Sequence, residues 1–192
     1  VHAIYRNVVF DHVSRPASPA DIASLEADLG VALPQEVVDF LSVVNGGTCA
    51  FSVDVDLGDG NRRTVALQEW HGFGTVTTFE QALTFTRATF GVPRPVLPIA
   101  NSNWHDFVFL DLTEEGEGRV VVFVMGQPAW TGWNTESKFV TVASRLTELL
   151  DRLYLDDDTV EMLQEDLGNR DEEEDQRIER ILDTGRPGWR TA

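Results

Sequence analysis

Hydrophobic residues along this chain recur in two rhythms, one at helical spacing and one at every second position. Capping and turn residues separate them. In "SPADIASLEADLG", Ile22, Leu25 and Leu29 share one helical face. Ser18 is placed as the N-cap, Pro19 suits the first helical position, and Asp21 stands where a capping-box acid belongs. Gly30 can end the helix in the left-handed conformation. "LGVALPQEVVDFLSVVNGG" repeats the scheme: Pro34 opens a helix, Val37, Phe40, Leu41 and Val44 form its apolar stripe, and Asn45-Gly46-Gly47 stops it. The second stretch carries no side chain suited to chemistry, and the two short helices, packed as a pair, must cover a sheet with their apolar faces.

The alternation in "FSVDVDL" supplies that sheet, with Phe51, Val53, Val55 and Leu57 facing inward and Ser52, Asp54 and Asp56 outward. "GDGN" is a turn, and residues 62–70 return as the hairpin partner. Thr78, Gln81 and Gly91 mark a third helix by cap, box and stop. The proline-rich "VPRPVLPIA" must be extended or edge-like. "DFVFLDL" and "GRVVVFVMG" are strands joined by the acidic turn "TEEGEG", and "KFVTVA" is a short last strand. Ser144 is then placed to cap a helix whose buried stripe is Leu146, Leu149, Leu150 and Leu153. One buried and one solvated face indicate antiparallel pairing. The expected fold is α+β: a mostly antiparallel curved sheet of about five to six strands, with helices packed on one side.

Composition changes the picture at the C-terminal end. Residues 151–183 hold 14 acidic and 4 basic residues, a local charge of −10. Val160, Leu163 and Leu167 mark one helix there, Ile178, Ile181 and Leu182 a shorter one, and "TGRPGWRTA" reads as a frayed end. The chain therefore divides into an α+β domain over 1–155 and an acidic helical extension over 156–192. Whether that extension packs on the domain, mediates dimers or orders only on binding stays open, as does the choice between monomer and dimer.

Charge narrows the partners. The 32 acidic residues against 15 basic ones give a net −17, a field that repels nucleic-acid phosphates and anionic lipid and attracts a basic protein. No apolar run approaches the ~20 residues that span a bilayer. The N-terminus lacks the basic-then-apolar order of a secretory signal, and the lone Cys49 fits a reducing compartment, so a cytoplasmic location is expected.

Candidate chemistry is thin. His71 and His105 are the residues that could act as general bases, but no nucleophile elbow or phosphate loop follows a strand. His105 and Asp106, adjacent on a strand, would point to opposite faces. The four His have no i, i+4 pair, and "DLGDGN" lacks the twelfth-position Glu of a calcium loop. No metal, cofactor or enzymatic activity is implied.

Four blocks in order resemble the SUKH superfamily, whose members include the yeast cell-wall assembly regulator and many bacterial immunity proteins. They are "DIASLEADLGVALPQEVVDFLSVVNGG", "FGTVTTFEQAL", "VLPIANSNWHDFVFLDL" and "SKFVTVASRLTELLDRL", together spanning about residues 18–155. The chain departs from many relatives at two loop ends. Trp104-His105-Asp106 stands where a Gly-Asp pair is common, and "MGQPAWTGW" where an aromatic–acid–His turn is common. The resemblance implies protein binding, typically stoichiometric neutralisation of a toxin, often a basic nuclease. The alternative is a regulatory adaptor that binds signalling or cell-envelope proteins.

Interface candidates follow. Trp70, Trp104, Trp130 and Trp133 lie at strand ends or in loops, where each either caps the core or anchors a partner. Trp130 and Trp133, in a Pro/Gly turn with little local core to enter, lead as exposed anchors. The acids of the expected rim are Asp54 and Asp56 on the outward strand face, Glu114 and Glu115 in the acidic turn, and Asp156, Asp157 and Asp158 at the start of the extension.

Overall fold

In the computed structural model, which describes residues 1–58, 60–103, 105–132 and 134–191, ten strands and six α-helices are formed. Their order is β1 (His2–Tyr5), β2 (Val8–Asp11), α1 (Pro19–Leu29), α2 (Gln35–Leu41), β3 (Gly47–Thr48), β4 (Ser52–Gly58), β5 (Asn61–Ala66), β6 (Glu69–Trp70), α3 (Phe79–Phe90), β7 (Val96–Ser102), β8 (Asp106–Asp111), β9 (Arg119–Val124), β10 (Lys138–Ala143), α4 (Leu146–Arg152), α5 (Asp157–Asp166) and α6 (Glu172–Gly185). Eight strands form one sheet in the order β1-β2-β3-β6-β7-β8-β9-β10, antiparallel throughout, and β4 and β5 form a separate hairpin. The α+β class stands, but the expected five to six strands were too few.

The missed strands are short. β1 and β2 pair through a turn in which Arg6 and Asn7 take φ values of 48° and 62°. That tight turn normally advertises itself with Asn-Gly or Asp-Gly, and neither is present. β3 and β6 are two residues each, too brief to show any alternation.

Helices also lie on both sides of the sheet rather than one, because β8 and β9 are apolar on both faces. Val108, Leu110, Val120, Val122 and Val124 enter the main core beneath α1, α2, α4 and α6. Phe107, Phe109 and Phe123 form a second cluster on the opposite side, where Phe85 and Phe90 of α3 meet them at centroid distances of 4.5–5.6 Å. A strand apolar at nearly every position must be covered twice.

Capping boxes close the N-termini of α1 (Ser18, Asp21) and α3 (Thr78, Gln81), and Gly30 and Gly91 end them in the left-handed region. At α4 the expected cap is replaced. Ser144 instead donates to Glu148, while Glu36 of α2 accepts the Leu146 N–H at 3.0 Å and the Thr147 hydroxyl at 2.7 Å. A tertiary partner has taken over a local job.

The Asn45-Gly46-Gly47 stop is a structural junction. Asn45 is fully buried; its amide donates to the Arg15 and Phe73 carbonyls at 2.7 and 3.1 Å and its oxygen accepts the Phe73 N–H at 2.7 Å. Gly72 must stay glycine for this fit, since a Cβ there would stand 2.6 Å from Asn45 Oδ1. "LGVALPQEVVDFLSVVNGG" is thus scaffold: a helix and a side-chain clamp that fix where β3 begins.

The acidic helices pack on the domain. α6 lies on β2, burying Ile178, Ile181 and Leu182, while α5 buries Val160 and Leu163. Arg177 of α6 donates to the buried Asp11 at 2.8 Å. The end expected to fray makes a 3-10 turn over Trp189–Thr191, with the Trp189 indole N–H donating to Asp183 at 2.8 Å.

Candidate protein-binding surface

The acids of β4 and of α5, a hundred residues apart, meet on one face of the β4–β5 hairpin. β4 alternates, so Val53, Val55 and Leu57 enter the core and Asp54 and Asp56 look outward. Ser52 departs from that expectation: it is fully buried, because Tyr154 exchanges both backbone hydrogen bonds with it at 2.8 and 3.1 Å. The Ser52 hydroxyl then donates to Asp156 at 2.7 Å, and the Tyr154 hydroxyl donates to Asp54, also at 2.7 Å. These bonds tie the start of α5 to the hairpin. Asp156 caps α5 by accepting the Thr159 N–H at 2.8 Å, and the exposed Asp157 and Asp158 follow in its first turn. Burial alone would push the Asp156 carboxyl up, but the Ser52 and Thr159 hydrogen bonds outweigh it and hold it below its ordinary range.

Two shallow hollows of about 310 and 320 Å³ record the result, one lined by Asp156, Asp157 and Asp158 with Ser52 and the other by Asp54, Asp56 and Tyr154. Arg62 and Arg152 border the second hollow, so the face is acidic in balance rather than purely acidic. Alternation along β4 revealed Asp54 and Asp56. Tyr154 and Ser52, which join the two acidic segments, had no local signal.

Glu114 and Glu115 are exposed on the β8–β9 turn. Trp130 sits in a 3-10 turn (Ala129–Thr131) between β9 and β10 and is 86% exposed, in a loop braced by the Gln127 N–H donating to Asn134 O at 2.7 Å. Trp104 and Trp133, the other two loop candidates, lie outside the described residues.

Trp70 must be withdrawn as an interface candidate. It is 1% exposed, its indole N–H donates to Leu67 O at 3.1 Å, and its ring meets Phe10 edge-on at 5.3 Å and Phe40 at 5.4 Å. β6 delivers it straight into the main core.

The histidines do not assemble a site. His105 is exposed and its Nδ1 lies 2.8 Å from Asn103 O, while Asp106 is buried and engages Arg63 and the Met125 N–H. His105 lies in the turn before β8 and Asp106 opens the strand, so the two side chains take separate partners without the strand alternation expected of them. His71 is buried, with Nδ1 3.1 Å from Pro98 O and Nε2 3.0 Å from the Asn101 amide nitrogen. That arrangement suits a neutral ring that donates from Nδ1 and accepts at Nε2. Among the described residues no group of three or more His, Cys, Asp or Glu is placed to hold a metal, and no helix is long and apolar enough to cross a membrane. Burial pushes the Cys49 thiol up to about 12, so it behaves as a small apolar residue.

His71 carries a pH prediction. Burial lowers its pKa below the ordinary value of 6.5, so the unfolded chain binds the proton first. Stability is complete above about pH 6.5 and declines as pH falls toward the depressed folded value, at up to about 1.4 kcal/mol per pH unit for one proton. Denaturant melts of wild type and His71→Gln between pH 5 and 8 check this. An equally steep decline in the variant would assign it to other groups.

The fold is that of a helix-flanked antiparallel-sheet domain of the α+β class, with a sequestered core histidine and an outward acidic face. Residues 16–152 match the SMI1 / KNR4 family (SUKH-1), and the chain belongs to that family. Compared with curated proteins, it matches none.

Proposed function

We propose that the protein is a bacterial immunity protein that acts in the cytoplasm, binding a cognate basic toxin and neutralising it by stoichiometric occlusion. The observation that carries this reading is the convergence of Asp54, Asp56, Asp156, Asp157 and Asp158 on one face of a chain with net charge −17. Such a face steers a basic partner and would compete for the groups that a nuclease turns toward phosphate. Family membership supports it, and the exposed Trp130 is a side chain of the kind that anchors protein interfaces.

The resemblance to the SUKH superfamily supports one other reading, a non-catalytic adaptor for signalling or cell-envelope proteins. Immunity predicts one tight complex; an adaptor predicts weaker binding to several partners.

The deciding experiment is rescue. The chain is co-expressed with the toxin-like protein encoded beside it, and survival is scored with recovery of the complex. Survival with a one-to-one complex is expected, with an association rate that falls steeply as salt rises. The triple variant Asp54→Asn, Asp157→Asn, Asp158→Asn should slow association about tenfold or more, the scale of electrostatic steering. Death without a complex, from a toxin active on its own, would reject immunity to it.

A further inference from the structure

The second aromatic cluster is only partly roofed. Phe107 and Phe109 stack at 6.2 Å, and the ladder continues to Phe139 of β10, 6.1 Å from Phe109 and 4.9 Å from Phe123. α3 covers its near end with Phe85 and Phe90, then stops at Gly91, whose φ of 64° turns the chain away. Beyond that stop lies an open groove of about 440 Å³ with Phe109 and Val121 beneath it, Phe90 on one wall and Phe139 on the other. Phe139 is 55% exposed, so the far half of the ladder faces solvent.

One end of the groove is acidic. Asp111 and Glu115 line it, and Arg119, the cation among its lining residues, is held by Asp111 at 2.7 Å. Glu114 and Glu117 stand exposed in the same turn. Lys138, next to Phe139 on β10, points away and donates to Leu57 O at 2.9 Å.

We infer that this groove receives a bulky apolar side chain of the partner protein, flanked by lysine or arginine, and so forms an anchor pocket of the toxin interface; this rests on the reading that the chain binds a toxin. The apolar floor takes the side chain, and the acidic turn takes the flanking cations. A second copy of this chain fits poorly, since it would bring a net −17 surface against that turn. A lipid carboxylate would meet the same repulsion.

The test uses the full chain and three short fluorescent peptides: a Trp-Leu pair between Lys-Arg flanks, the same flanks around Ser-Ser, and the Trp-Leu pair between Glu flanks. The first should bind about tenfold or more tighter than either control, the difference a single buried anchor or a set of paired charges supplies. Phe139→Ser should remove the preference over Ser-Ser, and Glu115→Lys, in an exposed turn, should weaken the basic peptide even if the Phe139 variant fails to fold. Equal binding of the Trp-Leu and Ser-Ser peptides, or a preference that survives in folded Phe139→Ser, would overturn the proposal. So would sedimentation showing a dimer that Phe139→Ser dissolves. Rescue by folded Phe139→Ser at wild-type strength would sink the groove and leave immunity standing. Peptide discrimination without any rescue would sink immunity and leave the groove.

Discussion

Ending the chain after Arg152, where the family match stops, is expected to abolish cooperative unfolding. The lost segment contributes Leu155, Val160, Leu163, Ile178, Ile181 and Leu182 to the main core, each at most 8% exposed. Burial of side chains of this size is worth about 1.5–3 kcal/mol apiece, against a net stability of roughly 5–15 kcal/mol for a typical domain. Part of that loss is offset because the missing helices need no longer be ordered. The surface they leave behind is not offset. α6 lies on β2, and Gly185 sits so close to Phe51 and Leu155 that a Cβ there would stand 2.9 and 2.6 Å from them. The truncated chain should bind a hydrophobic dye and show no sharp thermal transition. Ile181→Ala in the full chain isolates the packing term, with an expected loss of about 2–5 kcal/mol. A truncated chain that melts cooperatively near the wild-type midpoint would show the acidic helices to be accessory.

Trp70→Ala should be the most damaging single substitution outside that segment. It removes a buried indole, its hydrogen bond to Leu67 O and its packing with Phe10 and Phe40. Phe40 also meets Tyr5 and Phe10 edge-on at 5.4 and 5.7 Å, so the cavity would open at the centre of a four-ring cluster. The expected cost is about 3–5 kcal/mol. For a chain of this size that lowers the melting temperature by roughly 6–20 °C. Trp70→Phe should recover much of it. Were Trp70→Ala to keep wild-type stability and yet abolish rescue, the indole would have to reach the partner, and its assignment to the core would fail.

The contrast between Trp70 and Trp130 shows where reading by sequence stops. Both lie near turns, and the Pro/Gly setting of Trp130 is the one local difference between them; it points to exposure at Trp130 but leaves Trp70 undecided. Trp70 belongs to a two-residue strand held between β3 and β7, whose partners are more than twenty residues away in the chain; Trp130 lies on a hairpin loop that leaves the sheet. Exposure is a property of what arrives from elsewhere. The same holds for the acids. Asp54 and Asp56 could be placed by alternation, but their union with Asp156, Asp157 and Asp158 depends on Tyr154 pairing with Ser52. The aromatic groove was hidden for a related reason. "DFVFL" and "KFVTVA" announce strands without saying that α3 will cover one end of their outer face and leave Phe139 bare.

By itself the sequence determined the elements whose signals are local. The boxes at Ser18 and Thr78, the stops at Gly30 and Gly91, the alternation of β4 and the apolar stripes of the helices each act within one or two turns of chain, where capping and periodicity are decided. Only the tertiary structure decided how ten strands order into an eight-stranded sheet and a hairpin, that Glu36 would cap α4, and that α6 would lie on β2 through Arg177 and Asp11. Those outcomes depend on burial and pairing between residues up to 166 positions apart, and no local pattern encodes a distance of that kind.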